Sequence, residues 1–341
     1  MQAGQRSGST LSAVIVVNNF NYGRFLHDSV GSALAQTYPN TRIVVIDDGS
    51  TDNSRQILEQ LKVEHPHLEL HYKPNGGQLS CFNAALPYIR DADWVFLLDA
   101  DDHYPANYVE QMLIKAQADT AMLLAENVHY DARIGEQPLT DSRINNRAPI
   151  DVNHSAHLVA YLRLWLGQPT SALAVRSSLY RLVFPYYPET DWEISADQVI
   201  VRGTSIAGGS KRFVRSIGIN YRVHGKNNYH GTDYRAHSVR QRIPLKNLTL
   251  ALIKQAGLDE HKRRWPLGIN AMIAESASIK SHHRRQLNIP TPLQITLWPM
   301  LWPVRKCRAA LGMIYRWVMS RHAGLAPMDQ AIRTALGKPP A

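Results

Sequence analysis

The chain has 341 residues, of which 44% are hydrophobic and 19% are charged, proportions that are typical of a globular protein and exclude a wholly disordered one. Its two cysteines, Cys81 and Cys307, are too few for a disulfide framework and lack the spacing of a zinc site. The net charge is +10, and no segment approaches the ~20 consecutive apolar residues of a membrane-spanning helix.

The first part of the chain alternates between strand-like and helix-like segments. Apolar runs at 13–17, 42–46, 68–72 and 93–98 predict four strands. Apolar residues at helical spacing between and after these strands predict three helices. These residues are Phe25, Leu26, Val30, Ala33 and Leu34; Ile57, Leu58 and Leu61; and Val109, Met112 and Leu113. Such alternation predicts a largely parallel sheet with helices on both faces.

Short polar signals predict where these elements start and turn. Ser50 and Thr51 are suited to capping the second helix. The Asn-Gly-Gly sequence at 75–77 predicts a turn, and Pro105 fits the first turn of the third helix.

Two acidic clusters follow predicted strands, one at Asp47 and Asp48 and the other at 99–102. Because the carboxyl ends of parallel strands meet at the edge where α/β folds bind ligands, we expect the active site there. Carboxylates this close raise each other's pKa, so they usually persist where a cation or a ligand compensates their charge. The sequence therefore predicts a site for a metal ion and a phosphorylated ligand.

The positive charge is concentrated in the last third of the chain. Residues 231–341 contain 18 Lys and Arg against five Asp and Glu, a net charge of +13, which leaves −3 for residues 1–230. A domain boundary near residue 230 is predicted, with a mainly helical basic region at 231–341 that has its own partner.

A basic amphipathic helix is predicted near the C-terminus. Its apolar face consists of Val304, Cys307, Leu311, Ile314 and Val318. The arginines on the opposite side are Arg305, Arg308 and Arg316, and the neighbouring tryptophans are Trp298, Trp302 and Trp317. This composition suits an anionic membrane surface. Packing on the rest of the protein and dimerisation are equally weighted alternatives.

Four motifs in residues 1–230 resemble the family 2 glycosyltransferases, which have the nucleotide-sugar-binding GT-A fold. They are QTYPN, IDDGSTDNS, NGGQLSCFNAAL and LLDADD, and their occurrence in this order makes the resemblance specific. It implies a Rossmann-like, mostly parallel α/β sheet with flanking helices. The nucleotide-sugar half is expected at about 1–125 and the acceptor half at about 126–230.

The resemblance implies three residues on the donor side. Phe20 is expected to stack on the nucleotide base and Asp48 to accept a hydrogen bond from it, with Asn18 nearby. Uracil is the base most often bound in this way in the family. Phe20 stands where tyrosine is common, which keeps the stacking face but loses a phenolic hydrogen bond. Without the motif, Phe20 would be interpreted as a core aromatic.

The LDADD sequence matches the family's Asp-x-Asp element. The resemblance implies that Asp101 holds Mg²⁺ or Mn²⁺ against the diphosphate and that Asp99 lies near the ribose. A hard dication prefers carboxylate and phosphate oxygens. Asp102 is interpreted as a cap of the following turn, and an exposed acidic loop is the alternative for all three. His224, in the YRVHGKNN sequence, is expected to complete the metal shell, with a structural role as the alternative.

Transfer of a sugar to a hydroxyl needs a general base, and two aspartates compete for this role. The segment 188–209 resembles the family's catalytic-base region, in which an Asp precedes an apolar helix ending in Arg. Asp197, followed by Arg202, fits best. The family often has Glu before this Asp, and because Ala196 stands here, Asp191 remains a second candidate base, with a helix N-cap as its other interpretation.

The predicted function is metal-dependent, inverting transfer from a nucleoside diphosphate sugar, with UDP-sugar favoured, to a glycan or glycolipid in cell-surface polysaccharide or glycolipid synthesis. A non-catalytic nucleotide-sugar sensor or scaffold is kept as an alternative. A nucleotidyltransferase is less favoured because no Gly-rich triphosphate loop follows the first strand.

No nucleic acid partner is expected, and homo-oligomerisation is left open. No apolar stretch precedes Leu11, so we expect a cytoplasmic protein, peripheral on the cytoplasmic face of the membrane if the C-terminal helix binds lipid.

Overall fold

A central sheet organises the chain, and the computed structural model describes residues 10–131, 148–225, 227, 242–256 and 265–297. The strands are β1 (Ala13–Asn19), β2 (Thr41–Asp47), β3 (Glu69–Tyr72), β4 (Trp94–Asp99), β5 (Thr120–Asp131), β6 (Ile150–Val152), β7 (Leu173–Arg176) and β8 (Ser210–Val223). They lie in the order β3-β2-β1-β4-β7-β5-β8-β6. Among the described residues, four strand pairings are parallel and three are antiparallel.

Helices flank this sheet and continue after it. They are α1 (Gly23–Leu34), α2 (Ser54–Glu64), α3 (Gln78–Ala84), α4 (Tyr108–Ile114), α5 (Ala156–Leu162), α6 (Ser177–Val183), α7 (Asp197–Ile206), α8 (Arg242–Gln255), α9 (Trp265–Ser278), α10 (Ser281–Gln286) and α11 (Pro292–Thr296). The predicted α/β architecture, a mostly parallel Rossmann-like sheet with flanking helices, is confirmed, as are its first four strands. Of the described helices, none has the length and apolar character needed to cross a membrane.

The sheet separates two apolar layers because alternate residues of each strand point to opposite faces. In β1, Val14 and Val16 face the layer that contains α3, α5, α6 and α7. Ala13, Ile15 and Val17 face the layer that contains α1, α2 and α4. β1 is therefore apolar throughout, as expected of a parallel strand that is covered on both sides.

Two of the predicted helix starts are wrong. α2 begins at Ser54, and Ser50 instead donates its hydroxyl to the Asp47 carboxylate at 2.6 Å. Thr51 does not cap α2 either, since its hydroxyl donates to the side chain of Asn21 at 3.3 Å. Pro105 lies before α4, which begins at Tyr108. Ser50 also accepts the backbone N–H of Asn21 at 2.9 Å, and at the start of α4 the Gln36 side chain accepts that of Val109 at 2.9 Å, contacts between distant segments that no local pattern reveals.

α3 was not predicted because it lacks an amphipathic pattern. It is short, and five consecutive residues from Leu79 to Asn83 are buried. A helix that is covered on most sides shows no apolar periodicity in its sequence.

The helices after residue 241 pack on the same core as the sheet. Leu248, Leu252, Met272, Ile279 and Ile295 are buried in the layer that contains α5 and α7. The boundary predicted near residue 230 and the helix predicted around 304–318 fall outside the described residues, as do the three C-terminal tryptophans and Cys307.

A buried carboxylate joins α9 to α5. Glu275 accepts hydrogen bonds from the backbone N–H groups of His157 at 3.0 Å and Leu158 at 2.9 Å. The His157 ring nitrogen Nδ1 also lies 2.8 Å from this carboxylate. The first turn of a helix has backbone N–H groups without partners in the helix, and Glu275 supplies their acceptors from a distant element.

We expect Glu275→Ala to lower the free energy of unfolding by about 1–3 kcal/mol, because buried amide donors would lose their acceptors. Glu275→Gln should lose less, since it keeps one acceptor oxygen. Urea denaturation followed by circular dichroism measures the change. Glu64→Ala, at an exposed position of α2, is the control and should stay within about 0.5 kcal/mol of the unmodified chain. Equal stability of Glu275→Ala and Glu64→Ala would contradict this role for Glu275.

Candidate active site

The carboxyl ends of β1, β2 and β4 bring the two acidic clusters to one edge of the sheet. The strand register places Asn18 opposite Asp99 and Asn19 opposite Asp47. Side-chain amides of β1 therefore lie between the carboxylates of its two neighbours. This is the edge at which the sequence predicted the site.

Asp99 is held by neutral donors from two elements. Its Oδ1 accepts from the Asn18 amide at 2.8 Å and from the Gln78 amide at 2.9 Å. Burial, and next the negative charge of Asp101, raise the pKa of Asp99 to about 7, although these hydrogen bonds oppose the rise. Asn18 thus lies at the predicted site, where its amide contacts Asp99.

Asp102 is buried, and both of its carboxylate oxygens accept hydrogen bonds from other parts of the protein. One carboxylate oxygen accepts from the Ser171 hydroxyl at 2.6 Å and the other from the backbone N–H of Arg222 at 2.9 Å. Burial, with Asp101 and Asp99 beside it, raises the pKa of this carboxyl well above its usual range. Asp102 ties β4 to β8 rather than capping the following turn, so that interpretation and the exposed-loop alternative are wrong for this residue.

Asp101 faces a histidine that comes from the end of β8. The His224 ring nitrogen Nε2 lies 3.0 Å from Oδ2 of Asp101, and the Asn227 amide lies 3.5 Å from the same oxygen. Asn227 also accepts the backbone N–H of His224 at 2.8 Å. The structure therefore brings together the two residues predicted as metal ligands, 123 positions apart.

This donor set fits a divalent cation. Carboxylate oxygens of Asp99, Asp101 and Asp102 lie within 4.8 Å of one another. Because the oxygens of Asp102 accept protein hydrogen bonds, Asp101 and His224 are the groups best placed to hold a metal ion. A carboxylate with an imidazole suits Mn²⁺, while Mg²⁺ prefers oxygen ligands alone.

Asp48 organises the loop between β3 and α3. Its carboxylate accepts from the backbone N–H groups of Gly76 at 3.0 Å and Gly77 at 2.8 Å, and it pairs with the Lys73 ammonium. Gly77 has φ of +81°, and a Cβ there would lie 2.4 Å from Cα of Glu193. The predicted hydrogen bond from the base to Asp48 stays a prediction, and the base would share this carboxylate with Lys73.

Phe20 follows β1 and is 44% exposed. Its alternative interpretation as a core aromatic is therefore wrong. The next residue, Asn21, has φ of +58°, and its side-chain oxygen accepts from the backbone N–H of Thr51 at 2.7 Å. This contact fixes the turn that carries Phe20 beside the Asp47 and Asp48 cluster.

Asp197 is the first residue of α7 and is buried. Burial raises its pKa to about 7. Its charge in turn raises the pKa of Asp99, which places the two carboxylates within electrostatic range of each other. Among the described residues, none forms a hydrogen bond to Oδ1 of Asp197.

Asp191 lies before α7, outside the helix that carries Asp197. It belongs to a short 3₁₀ helix at Glu189–Trp192 that Pro188 precedes, so it is not the N-cap that the sequence suggested. Its Oδ2 is also buried without a hydrogen-bond partner in the described part of the chain. Burial, and next the negative charge of Asp191, raise the pKa of Tyr186.

Gln78 is a residue of the site that sequence reasoning missed. Its amide donates to Asp99 and, at 3.1 Å, to the Thr170 hydroxyl. Its side-chain oxygen accepts the backbone N–H of Ala196 at 2.9 Å, directly before Asp197. The NGGQ motif marked this loop, but no local signal shows that the glutamine joins β4 to the start of α7.

Comparison with known proteins gives a family for this site. Residues 14–177 match the model of glycosyl transferase family 2. An uncharacterized glycosyltransferase of Nostoc sp. is 31% identical over 216 residues, which cover 63% of this chain and 66% of that protein. Glycosyltransferase GlyG of Streptococcus pneumoniae is 29% identical over 123 residues, which cover 36% of this chain and 40% of that protein.

A chondroitin synthase of Pasteurella multocida is 32% identical over 99 residues, which cover 29% of this chain and 10% of that protein. The matched region thus spans less than the whole of each of these relatives. Within it lie β1, β2, β4 and the acidic residues that they position. With this family match and these relatives, the chain belongs to glycosyl transferase family 2.

Proposed function

We propose that this protein transfers a sugar from a nucleoside diphosphate sugar, with UDP-sugar as the favoured donor, to a hydroxyl of a glycan or glycolipid. The observation that carries this proposal is the joining of two carboxylate sites through Gln78. On one side lie Asp99 and Asp101 with His224, and on the other lies Asp197. Family membership supports the reaction class.

The donor nucleotide is proposed to bind at the ends of β1 and β2. The exposed ring of Phe20 offers a face for stacking the base, and Asp48 offers an acceptor for a base N–H. The Lys73 ammonium beside Asp48 adds a positive charge at the same edge. Asn18 and Asp99 are proposed to lie next to the ribose, since they follow Phe20 and Asp48 along the sheet edge.

A divalent ion, Mn²⁺ or Mg²⁺, is proposed to be held by Asp101 and His224. When bound, it would neutralise negative charge on the departing nucleoside diphosphate. Arg222 fixes this ligand pair, because its Nε donates to the backbone oxygen of Asp101 at 2.9 Å. Its Nη2 donates to Asp28 of α1 at 2.6 Å, which anchors the arginine.

Asp197 is proposed as the general base. Its Oδ1 would take the proton of the acceptor hydroxyl as that oxygen bonds to the anomeric carbon. The bond from this carbon to the diphosphate oxygen breaks on the opposite face, so configuration inverts without a covalent enzyme intermediate. A carboxyl pKa near 7 suits this role, because the group is basic enough to accept a proton and about half of it is ionised at neutral pH.

The acceptor is proposed to be a cell-surface polysaccharide or glycolipid. One relative of the matched region is named for the synthesis of a polysaccharide, chondroitin. The net charge of +13 on residues 231–341 would attract an anionic membrane surface. We therefore propose a peripheral enzyme on the cytoplasmic face of the membrane.

Asp101→Asn should weaken Mn²⁺-dependent UDP binding by at least about tenfold, ~1.4 kcal/mol, because a neutral amide is a poorer ligand for a dication. Calorimetric titration of UDP with and without Mn²⁺ measures the change. Asp119→Asn, which alters an exposed carboxylate at the start of β5, should bind UDP as the unmodified chain does. Unchanged metal-dependent binding in Asp101→Asn would overturn the proposed ligand.

Asp197→Asn should lower the transfer rate by roughly 10²–10⁴-fold while leaving UDP binding unchanged, because only proton abstraction is lost. The matched variant Asp191→Asn should retain transfer. In the unmodified chain the rate should fall as pH drops below about 7, since the Asp197 carboxyl then binds a proton. Rate measurements across pH test this. Loss of transfer in Asp191→Asn alone would reassign the base to Asp191.

The intact chain should co-sediment with vesicles that contain phosphatidylserine but not with pure phosphatidylcholine vesicles. Charge reversal of Arg305, Arg308 and Arg316 to Glu should weaken this binding by about two orders of magnitude, because each basic residue near an anionic surface contributes ~1 kcal/mol. Circular dichroism checks that the variant is folded. Failure of the intact chain to bind either vesicle would exclude the membrane proposal.

A further inference from the structure

Trp165 is an exposed tryptophan close to the proposed base. It lies on the segment that joins α5 to the short 3₁₀ helix at Thr170–Ala172. The side chain is 38% exposed, whereas Trp94 and Trp192 are fully buried. A large aromatic side chain that remains accessible beside a catalytic helix is available for binding a ligand.

The Trp165 ring rests against α7. The Arg202 guanidinium lies 5.9 Å from the ring centroid, within the range of a cation–π contact. A Cβ added at Gly167 would lie 2.9 Å from Cζ2 of Trp165 and 2.5 Å from a methyl group of Val201. Glycine at this position thus leaves room for the indole and α7 to approach each other.

The backbone on both sides of Trp165 is anchored. The carbonyl oxygen of Leu164 accepts from Arg202 at 3.2 Å, and that of Leu166 accepts from Nζ of the buried Lys211 at 2.9 Å. Neighbouring residues that are fixed in this way restrict the positions open to the indole. A pre-positioned aromatic ring loses little conformational entropy when a ligand stacks on it.

The segment that carries Trp165 connects the two halves of the proposed site. On one side, Gly167 packs on Val201 of α7. Val201 is four residues after Asp197, so the two residues lie on the same face of α7 and are ~6 Å apart along the helix axis. On the other side, Thr170 accepts from Gln78, which also binds Asp99. The indole therefore lies beside Val201, which is about one helical turn from the proposed base.

We propose that Trp165 is the stacking platform for the acceptor, and that this acceptor presents a pyranose ring. The C–H groups on one face of a pyranose would pack on the indole, while a ring hydroxyl lies toward Asp197. An apolar surface with a few polar groups beside it is the usual composition of a small-molecule site. This inference rests on the proposed transfer reaction and adds the acceptor subsite to it.

The test uses the full chain with Mn²⁺ and UDP, and the methyl β-glycosides of glucose, galactose and N-acetylglucosamine as probes. Saturation-transfer NMR at millimolar glycoside reports binding. We expect at least one probe to bind the unmodified chain. Trp165→Ala should weaken that binding about three- to tenfold, while Trp165→Phe, which keeps an aromatic face, should recover part of it.

Ile114→Ala is the control, because this exposed residue lies on α4, on the opposite face of the sheet from α5 and α7. It should bind the probe as the unmodified chain does. UDP titration into Trp165→Ala should match the unmodified chain, which shows that the variant is folded and that its donor site is intact.

Three results would overturn the inference. If UDP binds but none of the three glycosides does, or if Trp165→Ala binds the probe as tightly as the unmodified chain, the acceptor platform is wrong and the proposed donor chemistry stands. If the folded, unmodified chain binds no UDP, the proposed function fails and this inference fails with it.

Discussion

The site depends on the crowding of buried carboxylates at one edge of the sheet. Carboxylate oxygens of Asp99, Asp101 and Asp102 lie within 4.8 Å of one another, and burial and the neighbouring negative charges oppose ionisation of Asp99 and Asp102. Uncharged donors offset part of this cost: the Asn18 and Gln78 amides bind Asp99, and the Ser171 hydroxyl and the Arg222 backbone N–H bind Asp102. Each donor comes from a different element, so these hydrogen bonds form only when β1, α3, β8 and the 3₁₀ helix before β7 are assembled around the acidic cluster.

These donors also decide which acidic residue is available to a ligand. The oxygens of Asp102 accept hydrogen bonds from β8 and from the 3₁₀ helix before β7, and Asp99 accepts hydrogen bonds from β1 and α3. Asp101 differs because its side chain faces His224, a residue that can itself ligate a metal. Three adjacent carboxylates with similar sequence context thus have different roles, which their hydrogen-bond partners set.

Local patterns in the sequence were sufficient for the first four of the eight described strands, and only partly for the site. The apolar runs predicted β1 to β4, and the acidic residues that follow them predicted the edge where ligands bind. The family resemblance predicted that Asp101 and His224 are ligands of one metal ion. Gln78, Ser171 and Arg222 escaped prediction because their partners lie 69 to 120 residues away. Ser50 misled because its hydroxyl donates to Asp47, three residues earlier, and accepts from the backbone N–H of Asn21, 29 residues earlier.

The contact between Glu275 and the first turn of α5 affects how this protein can be divided. α9 supplies the acceptors for backbone N–H groups of a helix more than 100 positions earlier, and α8 contributes Leu248 and Leu252 to the core. A shortened chain that ended before residue 242 would expose these donors together with an apolar face. Domain exchange between members of the family should therefore place the junction after residue 297, so that the graft carries its own C-terminal helices.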